Sequence, residues 1–269
     1  MSSTSAVPSG VRLKTIAIPP EHGAWGFLLE PILIGIGIAP SAPGIGLAVA
    51  VVGMFLARHP MKIALMDRLH GKRYARTALA ECAALVYSLI ALAGLAATVA
   101  LAGVMPLLPL PLAAPLVLFL FLAYSQNRGR DLLPELAGAS ALAGSATGIA
   151  LAGNQCVGPA LALWVILLAR GIPSILYVRA RLRLERGKPA SRPVVMAANA
   201  FALGSITLLA VIGLAPALAS LAMGILGLRA LYGLSPYRRP LRVQTLGFLE
   251  MSYGLLTAFL VILGYGLGL

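Results

Sequence analysis

The stretch Pro19-Pro-Glu-His-Gly-Ala-Trp-Gly-Phe-Leu-Leu-Glu-Pro31 sets two carboxylates and a histidine at the entrance to an apolar run. Carboxylates and imidazoles are the usual proton donors and acceptors of catalysis and of intramembrane relays. On a helix, His22 and Glu30 stand eight residues apart, about 80° round and roughly 12 Å along the axis. That is too far for a direct pair, but both can border one cavity. A charge at the depth of Glu30 costs at least about 3 kcal/mol in hydrocarbon, so it needs a partner or a function. Asp67, in the first long polar segment, completes the set of candidate acids and bases: Glu30, His22 and Asp67.

Cations concentrate in two segments. The first runs from Arg58 to Arg76 and sets Arg58 and Lys62 four residues apart, with Pro60 between them as an expected kink. The second runs from Arg170 to Arg192, where Arg179, Arg183 and Arg186 recur at spacings of four and three and stack on one side of a helix. Such a row suits phosphate, which guanidinium groups bind by paired, charge-assisted hydrogen bonds. The cations Arg58, Lys62, Arg170, Arg179 and Arg183 are therefore candidate substrate-binding residues. Arg170 is distinctive because it still lies within an apolar span, deeper than a headgroup anchor requires. The ordinary role of both segments is to face anionic lipid. Asp131 is expected to cap the helix that follows it, and Glu135 to point inward or toward the headgroups. His22, His59 and His70 have no metal-ligand spacing, and Cys82 and Cys156 are too few for a disulfide framework.

The elements that carry these groups are apolar. Of the 269 residues, 59% are hydrophobic and 11% charged, with a mean hydropathy of +0.93, too little polar surface for a soluble globule. The net charge of +13 is therefore assigned to membrane orientation and anionic lipid, with no nucleic acid as partner. Nine apolar runs are long enough to cross about 30 Å of hydrocarbon, near 23–40, 43–60, 78–104, 107–125, 133–153, 158–178, 194–213, 215–232 and 245–268. Proline-rich turns are expected over Pro106 to Pro115 and at Ala215-Pro216. With residues at a helix end counted in the adjoining loop, all 21 Lys and Arg fall before the first run or in every second loop. The positive-inside rule then puts the N-terminus in the cytoplasm and the C-terminus outside. All eight acidic residues fall on the same side or just within it. Gly138, Gly144 and Gly148 are expected to let helices approach closely. No signal peptide is expected at the small, polar start. The expected architecture is an all-α, polytopic membrane bundle: residues 1–18 a disordered or interfacial tail, residues 19–269 one transmembrane domain.

The block Pro20, Glu21, His22, Gly23, Ala24, Trp25, then Leu29, Glu30 and Pro31, resembles the opening signature of the YwiC-like family of bacterial membrane proteins. Arg58-His59-Pro60, and the run from Arg170 through Tyr177, Arg179 and Arg181, look like further blocks of that family, and through this resemblance Tyr177 joins the candidate substrate-binding residues. The family implies no particular reaction. A more distant resemblance is to the UbiA-type intramembrane prenyltransferases, with nine helices and a cytoplasmic-side cavity. Their Asp-rich motifs after helices two and six hold magnesium and a prenyl diphosphate. Here the two long polar segments follow the same helices, and Tyr124-Ser125 before a basic loop is also similar. The departure is that the segments offer only Asp67 and Glu185 as acids, a poor cage for magnesium.

These features support three functions. One is binding or transfer of a phosphorylated lipid or isoprenoid diphosphate on a UbiA-like scaffold, with arginine as counter-charge. In that case the chain is a prenyltransferase-like enzyme or a lipid binder. The second is a proton-linked small-molecule transporter built on Glu30 and His22. The third is a non-catalytic membrane assembly subunit. Membrane lipids are partners in all three. A structural ion pair of Glu30 with Arg170 or Arg58 is the plainest role for that carboxylate.

Overall fold

The computed structural model describes residues 13–18, 22–69, 71, 74–126, 128, 129 and 131–268. Among them the regular elements are helices: α1 (Leu13–Ala17), α2 (His22–Ile38), α3 (Ala42–Leu69), α4 (Ala75–Ala102), α5 (Pro109–Ser125), α6 (Leu132–Ala152), α7 (Val157–Glu185), α8 (Arg192–Val211), α9 (Ala217–Gly233) and α10 (Val243–Leu267), with one 3₁₀ turn at Met105–Leu107. Six stretches, those of α3, α4, the 3₁₀ turn with α5, α7, α8 and α10, are long and apolar enough to cross a membrane. The chain is a multi-pass membrane protein. Helices α2 and α9 are shorter apolar helices of 17 residues each. Helix α6 is built largely of Ala, Gly and Ser, which trade hydropathy for close packing.

Helices α6 to α10 each pack on the next, α10 returns to α2, and α2 rests on α6. Helix α7 also touches α9, α10 and α2, so it is the axis of this group. Its most apolar window is 61% buried, against 17% for that of α5, whose Leu118, Phe121 and Leu122 face outward as lipid-exposed residues do. Ile34, Ala146, Leu163, Ile166, Met223 and Val261 make the core around α7. Leu28, Leu47, Phe55 and Ile149 make a second one between α2, α3 and α6. A Cβ on Gly148 would stand 2.8 Å from the Pro106 carbonyl and 2.7 Å from Leu47, and one on Gly144 3.0 Å from the Trp164 ring. The glycines of α6 are therefore packing positions, as their neighbours in sequence imply.

Three expectations change. The polar segment after Arg58 is helical as far as Leu69, beyond the run expected to end near residue 60, whereas the one after Arg170 continues as the helix expected for Arg179 and Arg183 and ends at Glu185, with Arg186 at its C-cap. Hydropathy falls at the membrane surface, but Met, Lys, Leu, Arg and Glu are good helix formers, so the ladder continues into water. At about 42–44 Å, α3 and α7 are longer than the hydrocarbon is thick. The proline turn is confined to residues 103–108: Pro109 opens α5, where its missing N–H costs nothing, and Pro115 lies inside the helix. Asp131 sits at the N-cap of α6 without a side-chain cap hydrogen bond and pairs instead with Arg128 at 2.9 Å.

Candidate functional site

Helix α2 buries Glu30 against α7, where Arg170 meets it, both residues being 4% exposed. Arg170 Nε stands 3.0 Å from Glu30 Oε1, and Arg170 Nη2 donates to the Glu250 carbonyl on α10 at 2.9 Å. The Phe27 ring lies 5.6 Å from the Arg170 guanidinium. Gly254 admits the pair: a Cβ there would stand 2.7 Å from Arg170 Nη2 and 3.0 Å from Glu30 Oε2. Pro31 and Pro173 each remove a ladder hydrogen bond beside this pair. A small cleft opens here between α2, α6 and α7, lined by Phe27, Glu30, Pro31, Ser140, Arg170 and Gly171 among others.

A second buried pair adjoins the first. Arg229 on α9 donates through Nη1 to both Glu250 oxygens, at 2.6 and 2.7 Å, and through Nη2 to Ser174 Oγ at 3.4 Å. Its guanidinium is 4.3 Å from the centre of the Tyr177 ring and 5.2 Å from that of Tyr253. One helical turn below Tyr177, Arg181 is 1% exposed; it donates to the carbonyls of Gly233 and Arg239, and its Nε lies 2.8 Å from Glu185. Buried ions in hydrocarbon are tolerated when paired in this way.

The remaining candidates form separate groups. Arg58 and Lys62, one turn apart on α3, both approach Tyr124 of α5: Arg58 Nη1 is 3.4 Å from the Tyr124 hydroxyl, and Lys62 Nζ is 5.0 Å from the ring centre. Arg58 also lies 4.8 Å from the Phe55 ring, which Trp25 meets edge-on at 5.4 Å. Asp67 is buried at the end of α3, where Arg76 donates to both of its oxygens at 3.2 and 2.8 Å and the Thr77 hydroxyl at 2.7 Å. Arg179 pairs with Glu135 of α6 at 2.9 Å, and exposed Arg183 donates to the Pro189 carbonyl at 2.8 Å. Thus Glu30, Arg170 and, through Arg229, Tyr177 come together, while Asp67, Arg179 and Arg183 have other partners. His22 begins α2; its side chain, with Glu21, His70, Lys72 and Arg73, lies outside the described residues.

Sequence reasoning missed Arg229, Glu250 and Arg181 as members of this network. The signal was present: Arg229 and Glu250 each interrupt an apolar run. Both stand within six residues of the end of a run that adjoins a basic link, where a charge passes for part of the loop. Among the described residues no three of His, Cys, Asp and Glu converge as metal ligands would. Asp67 and Glu185, the acids of the two long basic segments, are engaged by Arg76 and Arg181. The residues present do not fit a magnesium cage.

No curated protein and no solved structure matches the chain significantly. The family model for YwiC-like protein matches residues 18–150, which hold Glu30, the Arg58–Lys62–Tyr124 cluster and Asp67. Arg170 and the rest of α7 lie beyond the matched stretch. Over residues 18–150, then, the chain is similar to the YwiC-like protein family.

Proposed function

We propose that this is a nine-span protein of the bacterial cytoplasmic membrane, N-terminus inside, that binds a phosphorylated lipid at the cytoplasmic ends of α3 and α5. Helices α2 to α10 supply nine apolar segments in chain order, and the placement of all 21 basic residues supports the orientation. The observation that carries the ligand is Arg58 and Lys62 gathered about Tyr124. Arg58 offers a planar fork and Lys62 a mobile point charge, a complementary pair for a phosphate or diphosphate headgroup. Phe55, Tyr124 and Trp25 give an aromatic flank for the first carbons of an acyl or isoprenoid chain. Arg179 and Arg183, on the extension of α7, are the further candidate cations in this reading. Binding is favoured over transfer because buried Glu30, Asp67 and Glu250 each already hold a cation. The UbiA-like arrangement rests on the position of the two polar segments and on Tyr124-Ser125 before a basic loop, and no metal-dependent step is part of the proposal.

Native mass spectrometry of gently extracted protein tests it. A phospholipid or isoprenoid diphosphate should copurify and fall at least severalfold in an Arg58→Gln/Lys62→Gln variant. Unchanged retention removes the site. Loss confined to Arg179→Ala/Arg183→Ala moves it to the end of α7.

One observation favours a second reading, proton-linked transport: the Glu30–Arg170 pair lies beside a cleft within apolar helices. Uptake into proteoliposomes that collapses in Glu30→Gln would support transport, and uptake indifferent to a pH gradient would exclude proton linkage.

A further inference from the structure

We infer that the Glu30–Arg170 pair is a linked site for one proton and one small anion: when Glu30 is protonated, Arg170 takes a monovalent anion of about halide size from the cleft between α2, α6 and α7. The pair is close but poorly satisfied. Glu30 Oε1 and Arg170 Nε are 3.0 Å apart, yet neither atom has an aligned hydrogen bond. A buried donor and acceptor in that condition forfeit a stabilisation that a better-placed ligand could recover.

Charge neutrality makes the linkage obligatory. Glu250 on α10 and Arg229 on α9 neutralise each other, and the nearby Ser174, Tyr177 and Tyr253 are uncharged. From α6 the cleft receives Ala139, Ser140 and Ala143, while Glu135 of that helix is engaged by Arg179. The charges of α3 occur only from Arg58 onward, toward its end. Those that α7 adds beyond Arg170 start nine residues later, at Arg179, about 13 Å along the axis. Glu30, Arg170, Glu250 and Arg229 together are therefore neutral, and protonating Glu30 leaves one positive charge in a low-dielectric interior. Such a charge is costly unless compensated, so the protonated state selects a monoanion. A dianion would overcompensate. The cleft sets the size, since it has room for about one water molecule, which excludes a phosphate headgroup. No covalent step is involved: the proton comes from solvent and returns to it.

The site rests on the transport reading for its purpose but not for its chemistry, so the two are tested apart. Bromide is titrated into the full-length protein in nanodiscs, by calorimetry in weakly buffered gluconate at several pH values. Above the pH at which free Glu30 titrates, each bromide should bring uptake approaching one proton, and the dissociation constant should rise roughly tenfold per pH unit. Glu30→Gln, an isostere of the protonated acid, should bind bromide without proton uptake and independently of pH. Glu30→Gln/Arg170→Met, also a neutral pair, should not bind it. Wild-type binding without proton uptake overturns the inference, as does absence of bromide binding in either wild type or a folded Glu30→Gln. Should Glu30→Gln fail to fold, the wild-type proton count decides. Linked binding in nanodiscs without any bromide-driven pH change in vesicles would leave the site standing and remove transport.

Discussion

Asp67 illustrates how one buried acid can be committed to structure. Its carboxylate collects two bonds from Arg76 and one from Thr77, whose own hydroxyl accepts the Tyr74 backbone N–H at 3.0 Å. Asp67→Ala would leave the fully buried Thr77 hydroxyl without its acceptor, so a loss of about 2 kcal/mol is expected by reversible unfolding in mixed micelles. Thr77→Val should cost less, because Arg76 would keep Asp67. Gly254 gives a second prediction at this scale. A Cβ there must displace the Arg170 guanidinium from Glu30 and from the Glu250 carbonyl, so Gly254→Ala should destabilise by about 1–3 kcal/mol. In a Glu30→Gln/Arg170→Met background most of that penalty should vanish, and the coupling is read from the double-mutant cycle. Equal penalties in both backgrounds would mean that Gly254 matters for backbone approach alone. Glu30 was conspicuous in the sequence because it stands well inside an apolar run. Its partner was not unique there, since Arg58 and Arg170 were equally available and only the packing of α2 against α7 selects one.

At the scale of elements, each of the nine apolar runs is occupied by a helix, with starts and most ends within three residues, because hydropathy and helix punctuation agree there. The exceptions are α3 and α7, which outrun their apolar segments by nine and seven residues. In those extensions the chain leaves the membrane without leaving the helix, so hydropathy alone ends the segment too early. The extension of α7 carries Arg181, in an alternation of Arg179, Arg181 and Arg183 that reads as uniform surface charge. Only the fold distinguishes them: Arg179 meets α6, Arg183 is exposed, and Arg181 turns inward to the carbonyls of Gly233 and Arg239. Arg181 therefore fastens α7 to the link between α9 and α10. Arg181→Leu should leave the helices formed and free residues 234–242, seen as at least tenfold faster amide exchange in that segment by mass spectrometry. Arg181→Lys should rescue little, because one ammonium cannot reproduce the two-carbonyl fork. Unchanged exchange would mean that the link is held by its own turns.

The whole molecule has one polarity, which its short links make testable. The links at residues 39–41, 103–108, 153–156 and 212–216 carry no charged residue, whereas those on the other side hold Arg and Lys. Moving the basic links across a membrane is what the positive-inside rule forbids, so the two sets of links should be separated by the bilayer. Cys156 is an exposed native thiol on an uncharged link, and Lys188 is an exposed residue on a basic one. In intact cells a membrane-impermeant maleimide should label Cys156 in a Cys82→Ser background. Lys188→Cys, with both native cysteines replaced, should label only after permeabilisation. The reverse pattern would invert the protein and remove the cytoplasmic placement of the Arg58–Lys62 cluster with it. The termini then test the count: with nine spans a C-terminal epitope is reached from outside and an N-terminal one is not. With six or eight spans both epitopes share a side, since an even number of crossings returns the chain to its starting face. Opposite termini would thus require an odd number of crossings, and at least one of α2, α6 and α9, the apolar helices outside the six long ones, would have to cross as well.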